Sequence, residues 1–427
     1  DTSSLTPASN GIVVLGTLKA SRSVSQTLTA RGTCFVANGG TFDYGCVGDI
    51  IPDATVATLR LNDSAVPAVG KHALVCHSQL APLFRIRGAV RTRNTTLTAP
   101  VAAGGTSISV ADAGGWKIGD EVILASDTDD ATRSQLVTLT SGSGLVWGCT
   151  AVTLARLAGC RVGNFSGNVT IKSVSATFPG NFGILVASTS TARAADIGDF
   201  RAEDLGTMTA AASHTQSPIY FGAVGVAAPA APAIRIRRVA SICKGALAQG
   251  CFAVHSVSLN RHGYYDCAHH SVGAVSIGIY PSDAVSSDWV RVCVYRSTFA
   301  IQEAWAAGAY DGVISDCYLH GVNVGNIAAG RSLRVVNSES RASSSAVQHV
   351  AGAISFEGGS ISAARLSLAG ASGAPARIPY AGVSFGAGLL AASVTVSNTP
   401  SQAAGSAITA ANGVSSDSRF ISYYQTT

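Results

Sequence analysis

Charge is scarce in this chain: Asp, Glu, Lys and Arg make up 12% of it, roughly half of what a soluble domain ordinarily carries. Disorder is excluded all the same, because hydrophobic residues reach 47% and a chain that apolar collapses. The 29 basic and 24 acidic residues are scattered singly, without a basic patch interleaved with aromatics, so nucleic acid is not an expected partner. Stretches rich in Glu, Lys and Leu are missing, and no amphipathic helix of useful length is found, which leaves sheets joined by tight turns. Long apolar runs are missing too. The weakly polar stretch Tyr380 to Val396 holds three glycines and three Ser/Thr residues and reads as a pair of strands, so no membrane span is expected. A phosphate loop, a dinucleotide fingerprint and a nucleophile elbow are all absent, which argues against a nucleotide enzyme and leaves no cofactor to expect.

Methionine occurs once, at Met208, and the chain opens on Asp1; the expectation is an exported protein whose leader has been removed. Ten cysteines form no CxxC pair and no Cys/His cluster at zinc spacing, which points to disulfides in an oxidising compartment and away from a metal site. Cys34 and Cys46 flank an apolar run centred on Asn38-Gly39-Gly40, a sequence that supplies the positive φ angles of a hairpin and would bring the two sulfurs together. Cys149 and Cys160 bracket another such run, so the expected bridges are Cys34 with Cys46 and Cys149 with Cys160. Asn62, Asn94, Asn164 and Asn168 each open an Asn-x-Ser/Thr sequon. These four are the candidate glycosylation sites of a secreted, extracellular or cell-surface protein.

What is present is short β-type runs. Residues 1 to 80 carry several, such as Gly11 to Leu18 and Ala57 to Leu61, broken by Gly, Asn and Asp turns; they are expected to form an irregular β cap. From about residue 232 a rhythm sets in, with starts at Val290, Gly312 and Leu333 separated by 22 and 21 residues. That period suits one coil of a parallel β-helix, two or three short strands per layer. A leucine-rich repeat would need leucines at fixed offsets and a helix, and has neither. The expected fold is therefore all-β: a right-handed parallel β-helix with an irregular N-terminal β cap at 1–80, a middle β region with the first coils at 81–231, and the regular solenoid at 232–427.

The middle region reads Phe84-Arg-Ile-Arg-Gly-Ala-Val-Arg, then Gly104-Gly-Thr-Ser-Ile-Ser-Val, then Gly115-Trp-Lys-Ile-Gly-Asp-Glu-Val-Ile-Leu-Ala-Ser. This resembles the eight-glycine domain shared by fibrocystin and the cell-migration-inducing hyaluronidase, with its Trp-x-x-Gly-Asp turn and apolar strand ending in Ala-Ser. Asn168-Val-Thr-Ile-Lys, Phe200-Arg-Ala-Glu-Asp-Leu-Gly and Ser217-Pro-Ile-Tyr-Phe are similar in order and spacing to that family's first β-helix coils. The resemblance covers residues 80 to 222 and implies a β-helix that acts on an acidic polysaccharide. It departs at Pro218-Ile-Tyr-Phe-Gly, where the family carries a Pro-Ile-His-Phe-His stretch; both histidines able to bind metal or move protons are gone. Within the signature, Asp120 has a bland role open to it, accepting hydrogen bonds from the backbone of its own turn.

Two groups carry candidate chemistry. Arg261-His-Gly-Tyr-Tyr-Asp-Cys-Ala-His-His offers His262, Asp266, His269 and His270, although alternation along a strand separates them onto opposite faces and no metal site is expected. Asp266, Asp288 and Asp311 recur at 22 and 23 residues and would stack in successive coils, as the acid and base of a polysaccharide hydrolase or lyase do across one bond. Arg261, Arg291 and Arg296 would then meet an acidic sugar. The alternative is that Asp opens a turn at the same point of each coil. Asp316 with His320 is a second, weaker pair. The sparse acid–base inventory favours a secreted, glycosylated structural subunit of an extracellular filament, appendage or matrix. Its expected partners are copies of itself, other extracellular structural chains and glycans. A carbohydrate-active enzyme on an acidic polysaccharide and a non-catalytic glycan-binding module are the two alternatives.

Overall fold

The computed structural model describes residues 11–31, 33–36, 40–62, 72–78, 83–128, 130–173, 182–188, 195–205, 219–223, 234–244, 261–272, 277–279, 286–297, 299–304, 312–326, 332–349, 353–357, 359–369, 380–381, 384–385 and 394–397. Their strands wind as a parallel β-helix with three walls. Wall one begins with Thr17–Lys19, Thr41–Tyr44 and Leu83–Ile86. Through a bridge from Arg87 to Gly198 it continues with Ala195–Gly198, Ile234–Arg237, Arg261–Tyr265, Ser286–Val290, Gly312–Ser315, Ser332–Val336 and Ala353–Glu357. Wall two stacks Gln26–Arg31, Ala57–Asn62, Val169–Ser173, Arg201–Glu203, Ala240–Cys243, Ala268–Ser271, Cys293–Arg296 and Tyr318–His320 onto the start of Glu339–His349. Wall three runs from Gly11–Val14 through Thr33–Val36, His72–Ser78 and Phe182–Ser188 to Ile219–Ala223. Every pairing within these walls is parallel, so each coil must return to the start of the next. The one described helix is the 3-10 turn Ala131–Arg133, and no described helix is long and apolar enough to cross a membrane.

The inward residues follow the period-two alternation of the strands. On wall two Leu28, Leu59, Ile171, Ala202, Ser241, His269, Val294 and Leu319 stand in register and are buried. On wall one Ile197, Ile236, Tyr264, Trp289 and Ile314 do the same, with the Tyr264 and Trp289 rings edge to face at 5.7 Å.

Two expectations about the first half change here. The segment read as an irregular cap already supplies regular rungs from Gly11 onward, because Gly11–Val14, Thr33–Val36 and His72–Ser78 pair in parallel register. The middle region is interrupted by an antiparallel insert, not continuous with the coils: Asn94–Thr96, Ser107–Ser109, Glu121–Leu124, Gln135–Ser143, Val146–Cys149 and Arg161–Asn164 form their own six-stranded sheet. The chain leaves wall one after Ile86 and re-enters wall two at Val169, where Ala57–Asn62 pairs directly with Val169–Ser173. Of the segments read above, Gly104 to Val110 and Gly115 to Ser126 fall within this insert, whereas Phe84 to Ile86 belong to wall one. The insert lies on the outer face of wall two, burying Ile242, Ala268, Cys293, Tyr295 and Tyr318 in one cluster with its own Leu97, Val122, Leu124 and Phe165. Polar pins surround that contact: Tyr295 donates from its hydroxyl to Asn94 Oδ1 at 3.1 Å, and Arg341 donates to the Asp127 carbonyl at 2.8 Å.

The corner from wall one to wall two is built on left-handed residues, Asp199, Arg238, Asp266, Arg291, Asp316 and Asn337, with φ between 46° and 55°. Asp and Asn tolerate that region best, while an arginine there is held by its surroundings. The surroundings are electrostatic. Arg87 and Arg238 both pair with Asp199, at 3.0 and 2.5 Å, and Arg291 pairs with Asp266 at 2.5 Å, so charge alternates from coil to coil. At an earlier corner the same turn uses Gly45, φ 105°, where a Cβ would overlap the Arg87 carbonyl.

The expected disulfides are not formed. Cys34 lies in wall three and Cys46 just beyond a strand of wall one, so the strands on either side of the Asn-Gly-Gly segment belong to different walls and do not pair with each other. Cys149 ends a strand of the insert, whereas Cys160 donates its thiol to the Ala125 carbonyl. All four are free thiols, as are Cys243, Cys267, Cys293 and Cys317. The sequons also change meaning in the folded chain. Asn164 is buried and donates to Asp120 at 2.8 Å, and Asn168 is buried and donates to the carbonyls of Ile51, Pro52 and Thr55. Asn94 donates to the carbonyls of Cys267 and Arg291. In each, the amide nitrogen that a glycan would need is committed to the fold. The Asn62 side chain lies outside the described residues.

Candidate functional site

Where the insert meets the first coils of wall two, an open polar cleft of about 280 Å³ forms. Its floor is outward-facing wall-two side chains: Thr170 and Lys172 alternate about buried Ile171, and Arg201 and Glu203 about buried Ala202, with Thr170 beside Arg201 and Lys172 beside Glu203 in register. Thr58 extends the Thr170 column one rung further. One wall is Glu121, the first residue of an insert strand, whose backbone N–H donates to Ser166 Oγ at 2.8 Å. Lys244 closes the far side, its backbone N–H donating to Asp204 Oδ1 at 2.7 Å.

The charged groups form one network. Arg201 reaches Glu121 at 2.6 Å and Glu203 at 2.8 Å, and Lys244 reaches the same two carboxylates at 2.8 and 3.8 Å. Burial by itself pushes the Glu121 carboxyl up, but Arg201 and Lys244 outweigh it and hold the group below the ordinary glutamate range. Glu121 is therefore ionised and neutralised in place, and Glu203 shares the same two cations. Lys172 differs: its register neighbour in the other direction is Arg60, on the Ala57–Asn62 strand. Neither cation makes an ion pair with a described residue. Two like charges directly opposite each other in a sheet repel, so this corner of the cleft favours an anion.

The sequence had pointed elsewhere. Asp266 is a corner residue, φ 55°, whose carboxylate accepts from Arg291. Asp288 lies within a wall-one strand, opposite Gly263 and Val313, so it does not stack on Asp266. Asp311 lies outside the described residues. The next acid in the corner column is Asp316, which accepts from Ser315 Oγ at 2.5 Å. His269 faces the β-helix core and His270 faces the insert, and burial pushes both imidazoles down to about 3. His320 is buried with Nδ1 3.1 Å from the Tyr318 hydroxyl. His262 and Arg261 have side chains outside the described residues, Arg296 is half-buried at the end of its strand, and among the described residues no group of three or more His, Cys, Asp or Glu is placed to hold a metal ion.

Sequence reasoning missed Glu121, Lys172, Arg201, Glu203 and Lys244. A signal existed for three of them. Val169-Thr-Ile-Lys and Phe200-Arg-Ala-Glu had been recognised as coils, and strict alternation then puts Thr170, Lys172, Arg201 and Glu203 on the outer face. Nothing local reveals that Glu121 descends onto them.

No family model matches the chain, and no curated protein matches it. Among solved structures it is similar to the Gp54 tailspike of Acinetobacter baumannii bacteriophage AP22, solved in complex with A. baumannii capsular saccharide, at 12% identity and TM-score 0.27 over 90% of this chain and 67% of that one. The tailspike gp49 from Pseudomonas phage LKA1 gives 11%, 0.28, 87% and 69%. The Pseudomonas phage phi297 tailspike gp61 gives 10%, 0.27, 90% and 68%. The overlap is too loose to bear on the site, and the β-helix assignment rests on the register of the strands.

Proposed function

We propose that this chain is a glycan-binding β-helix that takes an acidic saccharide in the cleft between wall two and the insert without cleaving it. The observation that carries the reading is the Arg60 and Lys172 pair. Lys172 lines the cleft and Arg60 stands beside it one rung along wall two, so the two cations leave a place for one carboxylate or sulfate at that edge, while the Thr58, Thr170 and Ser166 hydroxyls and the ion-paired Glu121 offer hydrogen bonds to sugar hydroxyls. Cleavage is disfavoured by the same network. A general acid at neutral pH needs its carboxyl pushed up, and Glu121 is held down by Arg201 and Lys244. Of the sequence-derived acids, Asp266 is tied to Arg291 and Asp288 stands in a different column.

The test is calorimetric titration of the intact chain with uronate-containing oligosaccharides and with neutral glucans, in 50 and 500 mM salt. Binding confined to the acidic ligands, weakened by salt and reduced about tenfold in Lys172→Ala, is the expected result. Equal affinity for the neutral glucans, or shortening of the acidic chains during incubation, would overturn the reading.

A further inference from the structure

Behind the cleft stands a buried cation that the network of ion pairs does not use. Arg93 is 1% exposed and lies on the inner side of the Ser166–Gly167 peptide, two half-buried residues that line the cleft. Its Nε donates to the Arg238 carbonyl at 2.8 Å, and its Nη1 donates to the Asn164 carbonyl at 3.3 Å and to the Ser166 carbonyl. Its Nη2 has no partner among the described residues. Arg87, Arg91 and Arg201, also buried, each pair with a carboxylate. Arg93 makes no ion pair among the described residues, because Asp199 and Asp120, which attract it from a distance, are already held by Arg87, Arg238 and Arg91. Burial pushes its guanidinium down to about 10, which leaves it charged at neutral pH. The Ser166–Gly167 peptide is trans, so its N–H points opposite to its carbonyl. With that carbonyl turned inward to Arg93, the Gly167 N–H turns outward to the cleft, and it meets no acceptor among the described residues. Beside it, Ser166 Oγ accepts from the Glu121 N–H at 2.8 Å and keeps its own proton to give. The segment is held in place, since the Thr170 hydroxyl donates to the Gly167 carbonyl at 3.5 Å and the Asn168 amide closes three carbonyls.

The geometry points to the Ser166–Gly167 peptide as an inner anion site of the cleft, with Arg93 as the positioning residue behind it; the inference rests on the glycan-binding reading above. The group received is a carboxylate or sulfate, one oxygen of which accepts from the Gly167 N–H and the Ser166 hydroxyl. Arg93 acts through the peptide. A charged donor on the carbonyl polarises the amide and makes its N–H a stronger donor to an anion. The buried charge also attracts the anion directly, with little screening by salt. A purely structural tie to three carbonyls needs donors and no charge, and a neutral side chain would supply them without burying an unpaired cation. Lys172 and Arg60 form the outer contact, open to solvent and screened by salt, so the two contacts differ in a way that can be measured.

The experiment titrates four intact proteins, the unchanged chain, Arg93→Gln, Arg93→Lys and Lys172→Ala, with uronate-containing, sulfated and neutral oligosaccharides in 50 and 500 mM salt. Far-ultraviolet dichroism checks that each variant is folded. Arg93→Gln is expected to bind the acidic ligands about tenfold more weakly at both salt concentrations, and Arg93→Lys to stay within about twofold of the unchanged chain. The loss in Lys172→Ala should shrink at high salt. Tighter binding of the uronate or of the sulfated ligand names the acid. If the unchanged chain prefers acidic ligands and Arg93→Gln matches it, the inner site is wrong and the cleft reading stands. If the unchanged chain shows no such preference, both are wrong. Where Arg93→Gln does not fold, nuclear magnetic resonance of the unchanged chain labelled with 15N-glycine decides. The Gly167 signal is the one missing from Gly167→Ala, a change the site accepts because a Cβ there would meet Arg93 Nη2 at 3.4 Å. Its amide proton should move downfield with methyl glucuronide or potassium sulfate and not with methyl glucoside; a signal that moves with neither anion overturns the inner site.

Discussion

Acid should unfold this protein through two histidines. His269 points into the β-helix core and His270 packs under the insert, 6.3 Å from the Phe165 ring centroid and edge-on to it. Burial pushes both imidazoles down, with the His269 and Arg296 charges adding to the effect at His270, from 6.5 to about 3. The native fold therefore holds both neutral. Because the folded value lies below the unfolded one, protons bind the unfolded chain preferentially: the stabilisation is complete above pH 6.5 and is lost as pH falls from there toward 3. At pH 5 one such group costs about 2 kcal/mol, and the pair up to about 4 kcal/mol, taking 1.36 kcal/mol per pH unit below the unfolded value. Urea unfolding followed by tryptophan fluorescence at pH 8 and pH 5 measures the difference. Carboxylates titrate in the same range, so the informative comparison is with His269→Leu/His270→Phe, which keeps apolar volume in both places. Its pH 8 to pH 5 loss should be smaller by about 3 to 4 kcal/mol. If both proteins lose the same stability between the two pH values, the histidines are not buried as described.

Two further predictions separate structure from charge. Asp199 is 2% exposed and pairs with both Arg87 and Arg238, so Asp199→Ala strands a buried guanidinium and should cost about 3 to 5 kcal/mol. Asp266 makes the same corner contact with Arg291, but those side chains are 30% and 56% exposed, and Asp266→Ala should cost under about 1 kcal/mol; equal losses in urea unfolding would show that the corner ladder is not graded by burial. Thiol counting tests the cysteines. Burial pushes Cys34 and Cys267 up to about 12 and Cys317 higher still, so these three should resist an aromatic disulfide reagent at pH 8 in the native chain, while half-buried Cys46 reacts. In guanidinium without reductant at least the eight described cysteines should react. A count that falls by two or four would restore the bridges expected from sequence.

The β-helix was legible because alternation is local. Ile234-Arg-Ile-Arg announces one face in and one face out within a few residues, and the 21-residue spacing from Gly312 to Leu333 is their register, whereas Val290-Arg-Val-Cys-Val turns a corner at Arg291. The Asp ladder misled because equal spacing is not equal position. From Arg238 the corner column steps by 28, 25, 25 and 21 residues to Asp266, Arg291, Asp316 and Asn337. Coil lengths vary, so a fixed period starting at Asp266 drifts off the corner and lands inside a strand at Asp288. The true column was hidden by its chemistry as well, since an arginine in a left-handed turn has no sequence signature. Free thiols and buried sequons were illegible for a simpler reason: both motifs are read by spacing, and only the fold decides that the Asn168 amide closes three carbonyls or that Cys34 and Cys46 sit on different walls.

The insert and the cleft have a common origin in the composition of wall two. Its outer column starts polar, with Thr58, Thr170 and Arg201, and then turns apolar at Ala240, Ala268, Cys293 and Tyr318. The apolar half, with Ile242 and Tyr295 from the next column, is too large a patch for a soluble surface to leave uncovered, and the insert buries it. Where the column becomes charged the insert covers Arg201 with a carboxylate and a carbonyl instead of apolar side chains, because apolar cover would strand the guanidinium. At that boundary it supplies Glu121, the carboxylate that lets Arg201 stay 8% exposed. The cleft is the seam left by this change of polarity. Substitutions that loosen the apolar dock, far from any cleft residue, should therefore withdraw Glu121 and release Arg201 and Lys244 to the ligand, altering binding before they abolish folding.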